Sequence, residues 1–227
     1  MLAIYKKELK SYFLSPIGYI AIGLFLFVFS SFFYLTTIMS GGYDMGNLYF
    51  NTARYGLLII VPIITMRTFA EERKNGTEQL LLTSPRTITE IVLAKFFSAV
   101  TLILIILVFS LIYYAILCFF KAPNFIPVLV MILGFLLVAM SAIAIGMFIS
   151  SLTENQIISA VVTIVFFVAS WFLPSISENL SIIDLMSSYQ KFPAGLISIT
   201  EVTSLLSITI MFILFTIIIM HRKKSIK

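Results

Sequence analysis

Ionic side chains are scarce in this sequence. Asp, Glu, Lys and Arg make up 11% of its 227 residues, against about 25% in soluble domains, while hydrophobic residues reach 60% and mean hydropathy +1.10. A soluble fold of this length has too little polar surface to hide so much apolar material, which excludes the soluble classes. The one cysteine, Cys118, lies in an apolar run, so a disulfide framework and a cysteine-rich metal site are both excluded within one chain, and the residue reads as small packing. The one histidine, His221, sits in the basic tail and rules out an H-E-x-x-H zinc site or a Ser-His-Asp triad within the spans. No G-x-x-x-x-G-K-S/T phosphate loop occurs, so the chain has no catalytic or cofactor-binding residues of the P-loop kind. Any ATP and Mg must be held by a partner.

What remains is a set of apolar runs. Six of them are long enough to cross a hydrocarbon core of about 30 Å: Ile17 to Met39, Ala53 to Ala70, Ile91 to Phe120, Pro127 to Ile149, Ile157 to Leu173 and Ser204 to Met220. They predict an all-α membrane protein in which residues 1–227 form one transmembrane domain. Ahead of the first run, residues 1–15 place Leu2, Tyr5, Leu9, Tyr12 and Phe13 on one helical face with Lys6, Lys7 and Lys10 beside it, which predicts an amphipathic helix lying in the interface. No small-residue cleavage site accompanies it, so the first span is expected to be retained. Residues 174–203 are the longest outer connection; Leu180, Ile182, Ile183, Leu185 and Met186 are too apolar for a free loop and predict short outer helices, re-entrant or interfacial, before span six. The formal charge is +5, but the basic residues abut apolar runs, a topology signal and not a nucleic-acid surface. With both termini and residues 71–90 on one side, only Arg54, Lys121 and Lys191 of the 15 Lys and Arg lie opposite, which assigns the termini to the cytoplasm. Arg54, Arg67 and Lys95 all fall near expected span ends, so no proton or sodium path is predicted through the centre.

The cytoplasmic connection at 71–90 has the grammar of a short helix. It reads Glu71-Glu72-Arg73-Lys74-Asn75-Gly76-Thr77-Glu78-Gln79-Leu80-Leu81-Leu82-Thr83-Ser84-Pro85-Arg86, with Thr77 suited to the N-cap, Glu78 to the positive end of the helix dipole and Ser84-Pro85 to the stop. Thr87-Ile88-Thr89-Glu90 has capping-box spacing for the start of span three. Leu80, Leu81 and Leu82 are more apolar than a solvated loop needs. They either pack on the bilayer surface or the N-terminal helix, or they dock into a groove of a cytoplasmic partner, with Glu71, Glu72, Arg73 and Glu78 adding charged contacts. In span four, Ala142, Gly146 and Ser150 recur every four residues, a small-residue stripe of the kind that admits a neighbouring backbone.

The N-terminal helix, six spans, the E-E-R-K-N-G-T-E-Q-L-L-L-T-S-P loop and the basic tail together resemble the permeases of type-2 ABC exporters. The resemblance covers the whole chain and is most specific at that loop, at Ser151-Leu152-Thr153-Glu154-Asn155-Gln156 and at Phe192-Pro193-Ala194-Gly195-Leu196-Ile197. Within the family the chain resembles the small permeases associated with gliding motility and with copper-processing and nitrous-oxide systems. The resemblance implies a half-transporter in a bacterial cell membrane that pairs with a second permease chain, identical or related, and with two ABC ATP-binding subunits, the loop after span two serving as coupling helix. The remaining contacts expected are with membrane lipids, not nucleic acid. Two other classes share this size and span number: a ligand-capturing subunit energised by another module, which needs polar groups converging in an outer pocket, and a non-transporting scaffold. The cargo is not legible, because fold does not settle function.

Overall fold

A computed structural model of the chain describes residues 1–39, 44–78, 86–120, 124–176 and 184–226. Among these residues every regular element is helical, and six helices are long and apolar enough to cross a membrane. The N-terminal helix (Leu2–Leu14) ends at Ser15, whose extended backbone (ψ 153°) turns the chain into span one at Pro16. Proline suits that first helical position, where its missing N–H has no partner to lose. Span one runs from Pro16 to Phe33 and finishes in a π-helical turn, Tyr34–Met39.

Span two starts at Met45, earlier than the expected Ala53. The Asp44 carboxylate accepts the Asn47 N–H at 2.9 Å, and Asn51 donates to the Asn47 side chain and carbonyl at 2.7 and 3.0 Å. These asparagines look like loop residues in sequence, but they satisfy one another within the helix and are absorbed into it. The span continues as a π-helical turn (Thr52–Gly56), a helix (Leu57–Thr65) and, after a break, a short helix (Ala70–Lys74). Spans three to six are Ile88–Phe120, Phe125–Leu152, Gln156–Ile176 and Ile199–Ile226. The expected cap of span three is present, with the Thr87 hydroxyl accepting the Glu90 N–H at 3.3 Å. The N-terminal helix and residues 75–78, 86–87 and 153–155 share one end of the bundle, here termed basal; residues 44, 124 and 184–198 share the apical end.

Spans two and four form the centre: 61% of the most apolar stretch of each is buried, against 22% and 17% in spans five and six, which therefore sit at the flank. Hydroxyls tie the helices where apolar contact alone gives little direction. Ser141 Oγ of span four donates to the Leu205 carbonyl of span six at 2.9 Å and lies 3.0 Å from the Thr209 hydroxyl. The Tyr49 and Ser110 hydroxyls join spans two and three at 3.1 Å.

The segment before span six departs from the short outer helices expected. Residues 184–195 form consecutive turns, with N–H groups bonded three residues back at Ser187, Tyr189, Phe192, Ala194 and Gly195. Its apolar side chains point inward: Leu185, Met186, Tyr189 and Phe192 are all buried. Phe192 occupies the space beside Gly134 of span four, where a Cβ would come within 2.5 Å of the Phe192 Cβ. The Tyr189 ring stacks between Phe50 and Phe192, each with centroids 6.1 Å apart. Of the residues whose apolarity suggested outer helices, Leu185 and Met186 belong to a plug closing the apical end, and Leu180, Ile182 and Ile183 lie outside the described residues.

Candidate functional site

The short helix Ala70–Lys74 leaves span two after a four-residue break, and Ser150 of span four stabilises that break. Its hydroxyl oxygen accepts the N–H groups of Phe69 and Ala70, each at 3.2 Å, both of which lack an intrahelical partner at a helix start. One turn earlier, a Cβ on Gly146 would come within 2.9 Å of the Thr65 Cβ, so the absent side chain lets spans two and four touch there. Ala142 lies further along the same face, in a cavity it shares with Ala53 and Leu57 of span two.

Every charged residue from Glu71 to Arg73, with Glu78, is paired inside the chain. Arg67 holds Glu71 bidentately, through Nε and Nη2 at 2.6 Å each, and reaches Ser15 Oγ at 3.2 Å. Arg73 forms a second bidentate pair, with Glu78, at 3.3 and 3.1 Å, and its remaining N–H groups donate to the carbonyls of Thr153 at 3.0 Å and Ser151 at 2.9 Å. Those carbonyls end span four and have no helical acceptor role left to fill, so a guanidinium fork matches them. Lys223 of span six donates to the same Ser151 carbonyl at 2.5 Å. One arginine thus binds the start of the loop, the end of span four and, through a shared carbonyl, span six.

Glu72 points the other way, to Lys95 of span three at 2.8 Å. Lys95 also contacts Glu8 of the N-terminal helix at 3.2 Å and the Thr68 carbonyl at 2.8 Å, and lies 5.4 Å from the Phe69 ring centroid. Sequence reasoning placed this lysine near a span end. With the helix starting at Ile88 it lies two turns inside and is 1% exposed, and no ammonium so enclosed persists without counter-charges. Two carboxylates for one ammonium leave a negative excess, which Lys7 balances from the rim at 3.4 Å from Glu8 and 3.7 Å from Glu72. The other Glu72 oxygen, Oε2, is buried with no hydrogen-bond partner.

The N-terminal helix therefore meets the bundle through Tyr5 and Tyr12 of the expected face together with Glu8, which that face does not include. Tyr5 shares a hydroxyl contact with Thr101 at 2.9 Å, and burial pushes the Tyr12 phenol up, with the Glu8 carboxylate adding to the rise and Arg67 opposing it. Leu2 and Leu14 stay exposed. Gly76 adopts φ +71°, a left-handed conformation that glycine tolerates best, and reverses the chain after the short helix. Thr77 precedes a helical residue, Glu78, and its hydroxyl donates backward to the Glu72 carbonyl at 3.2 Å. Leu80, Leu81 and Leu82 lie outside the described residues. The sequence does not reveal the pairing of Lys95 with Glu8 and Glu72, nor that of Arg67 with Glu71. The available signal was a lysine interrupting an apolar run, which requires acids from elsewhere in the chain.

Among the described residues no three metal-ligating side chains cluster, and the groups assembled here are ion pairs and helix-end contacts. No curated protein matches the chain. The family described as ABC-2 family transporter protein matches residues 13–170, more than half of the chain, a segment that holds the Arg73–Glu78 and Lys95–Glu72 pairs but not Glu8. The chain belongs to the ABC-2 family of transporter proteins.

Proposed function

We propose that this ABC-2 permease subunit forms the membrane pathway of an ATP-driven exporter and that residues 71–90 couple it to cytoplasmic ATP-binding subunits. The observation that carries this reading is the double anchorage of the loop's first half: Arg73 to Glu78 and the end of span four, Glu72 to Lys95 of span three. A loop whose first half is so tied moves with the spans, so force applied to Leu80, Leu81 and Leu82 reaches the bundle. Leu80, Leu81 and Leu82 then supply the apolar contact with the partner, while Glu71, Glu72, Arg73 and Glu78 frame the loop and leave few charges to donate across the interface. The basal end faces the cytoplasm on the charge bias of the sequence, with the N-terminal helix along that surface. A second permease chain completes the unit, because six helices of this length enclose little room for a pathway. The loop motif and the Phe192–Ile197 motif favour the small permeases of the gliding-motility and copper-processing type.

Replacing Leu81 with Asp tests the reading. A buried unpaired carboxylate costs about 1 to 3 kcal/mol, so copurification with the ATP-binding subunit should weaken while membrane insertion is unchanged. Full copurification together with full ATP hydrolysis by the variant complex would remove the coupling role from this loop.

A further inference from the structure

Spans five and six flank a groove of about 720 Å³ on the outside of the bundle, a volume within the range of about 300 to 1,000 Å³ for small-molecule sites. Ile145 of span four, itself buried, forms its floor, and the Phe166 and Phe212 rings meet at mid-span with centroids 6.4 Å apart. Span six runs inward from the apical end, so its lining changes character with depth. Thr200, Thr203, Ser204 and Ser207 come first, at the spacing of one helical face, and Ile208, Met211 and Phe212 follow. The groove thus has a hydroxyl end and an apolar end. The protein does not exhaust those hydroxyls. Thr203 donates to the Ile199 and Thr200 carbonyls at 2.9 and 3.0 Å, which leaves its oxygen able to accept. Ser204 lies 3.5 Å from the Ser188 hydroxyl of the plug, a weak contact. Ser207 is exposed, about 12 Å along the helix from Ile199, and its hydroxyl has no hydrogen-bond partner among the described residues. The hydrocarbon core offers no water to such a group, and leaving it unmet costs free energy. Among the described residues none that lines the groove is charged, and Glu201, next to Thr200 in the chain, turns to Lys191 at 2.6 Å.

We propose that this groove binds an uncharged amphiphile with a hydroxyl-bearing head, a long-chain alcohol or an acylglycerol, its head among Thr203, Ser204 and Ser207 and its alkyl chain along Met211 and Phe212. Such a head donates to the Thr203 and Ser204 oxygens and accepts from Ser207. A phosphate head would bring a charge that no lining cation meets, and a bare alkyl chain would leave Ser207 unpaired. The order of the lining, polar at the apical end and apolar toward mid-span, is that of a single amphiphile standing in one leaflet. The site stands apart from the basal network, and its occupancy requires no ATP-binding subunit.

The test uses the full chain in phosphatidylcholine nanodiscs and three probes that share one diazirine-bearing acyl chain: a monoacylglycerol, a fatty acid methyl ester and a lysophosphatidic acid. After irradiation, peptide mass analysis should place monoacylglycerol adducts at residues 200–212, with about fivefold tighter apparent affinity than either other probe, the scale of one net hydrogen bond. Unlabelled monoacylglycerol should compete for those adducts where the methyl ester does not. Thr203→Val with Ser207→Ala should bring the three probes level, and Ser207→Phe, which fills the groove, should remove the adducts. Both positions are exposed, so neither change disturbs the core. Should a variant fail to fold, the competition in wild-type protein decides. Absence of adducts at residues 200–212, equal labelling by the three probes, a preference for the phosphate head, or a preference kept by the folded double variant overturns the site. So does a disulfide-linked pair of chains formed in the membrane by Ser207→Cys in a Cys118→Ser background, which would show a second permease chain covering the groove.

Discussion

The two ends of the bundle are held by different physics. At the basal end, Lys95, Arg67 and Arg73 each satisfy named acceptors at fixed distances, and removing one member leaves a charge behind. At the apical end, Tyr189 and Phe192 fill space against Phe50 and Gly134 with one weak polar contact of their own, Tyr189 to the Met131 carbonyl at 3.4 Å, and the ion pair beside them, Lys191 to Glu201 at 2.6 Å, has an exposed lysine. Aromatic packing tolerates small displacement with gradual loss, whereas an ion pair with two acceptors is either engaged or broken. The difference suits an end that passes movement between helices and an end that seals.

The largest effect should come from breaking the basal end. Lys95→Met leaves Glu8 and Glu72 enclosed together without their shared cation, and breaking a buried pair costs about 3 to 5 kcal/mol. Thermal unfolding of the purified protein in detergent should show it as a lower midpoint. Adding Glu72→Gln should restore part of the loss, because the second acid was the uncompensated charge. Equal midpoints for Lys95→Met and the wild type would show that the triad does not hold the N-terminal helix.

The apical counterpart is Phe192→Ala, which opens a cavity beside Gly134. Phe to Ala in a core costs about 3 kcal/mol or somewhat more, with the amount set by how far the site collapses. Here no charge is left behind, so rescue must be steric: Gly134→Ala, which clashes with Phe192 in the native packing, should be harmful alone and should recover stability in the double variant. Additive losses in the double-variant cycle would mean that the two positions do not share that space.

Much of this architecture is legible in the sequence, and what is not shares one cause. Hydropathy locates six spans because burial in lipid needs only length and apolarity, and Thr87 with Glu90 marks the start of span three because a cap is a local device. Span two is read too short because Asn47 and Asn51 are polar in composition and satisfied only by their placement one turn apart. The burial of Lys95 is not legible because its partners lie 87 residues away at Glu8 and 23 residues away at Glu72, pairings that no periodicity encodes. The plug at 184–195 is read as short outer helices, re-entrant or interfacial, because apolarity states that a segment is buried without stating against what. Glu71, Glu72, Arg73 and Glu78 look like surface charges for the same reason, since each finds its partner only in the folded chain.

The smallest expected effect sharpens the comparison by asking whether the apical end holds any charge-dependent stability. Asp184 begins the plug; its carboxylate accepts the Met186 N–H at 3.1 Å, and the residue is buried. Burial raises its pKa above the usual 3.8, while the N–H groups of Met186 and Ser187 and the Arg54 guanidinium pull it down by less. A folded-state pKa above the unfolded one means that the folded protein keeps a proton the unfolded chain has lost. Stability from this group is therefore full below the unfolded value and declines as pH rises through the folded one. Asp184→Asn keeps the side-chain oxygen for Met186 and has no proton to lose. Its unfolding midpoint relative to the wild type should accordingly rise as pH is taken from about 4 toward neutrality, most of the change falling in the acid part of that range. Midpoints of the two proteins across that series, measured in one detergent at fixed ionic strength, check it. A difference that stays constant with pH would mean that the carboxylate is as well accommodated charged as neutral, and that water or Arg54 supports the apical end more than its packing does.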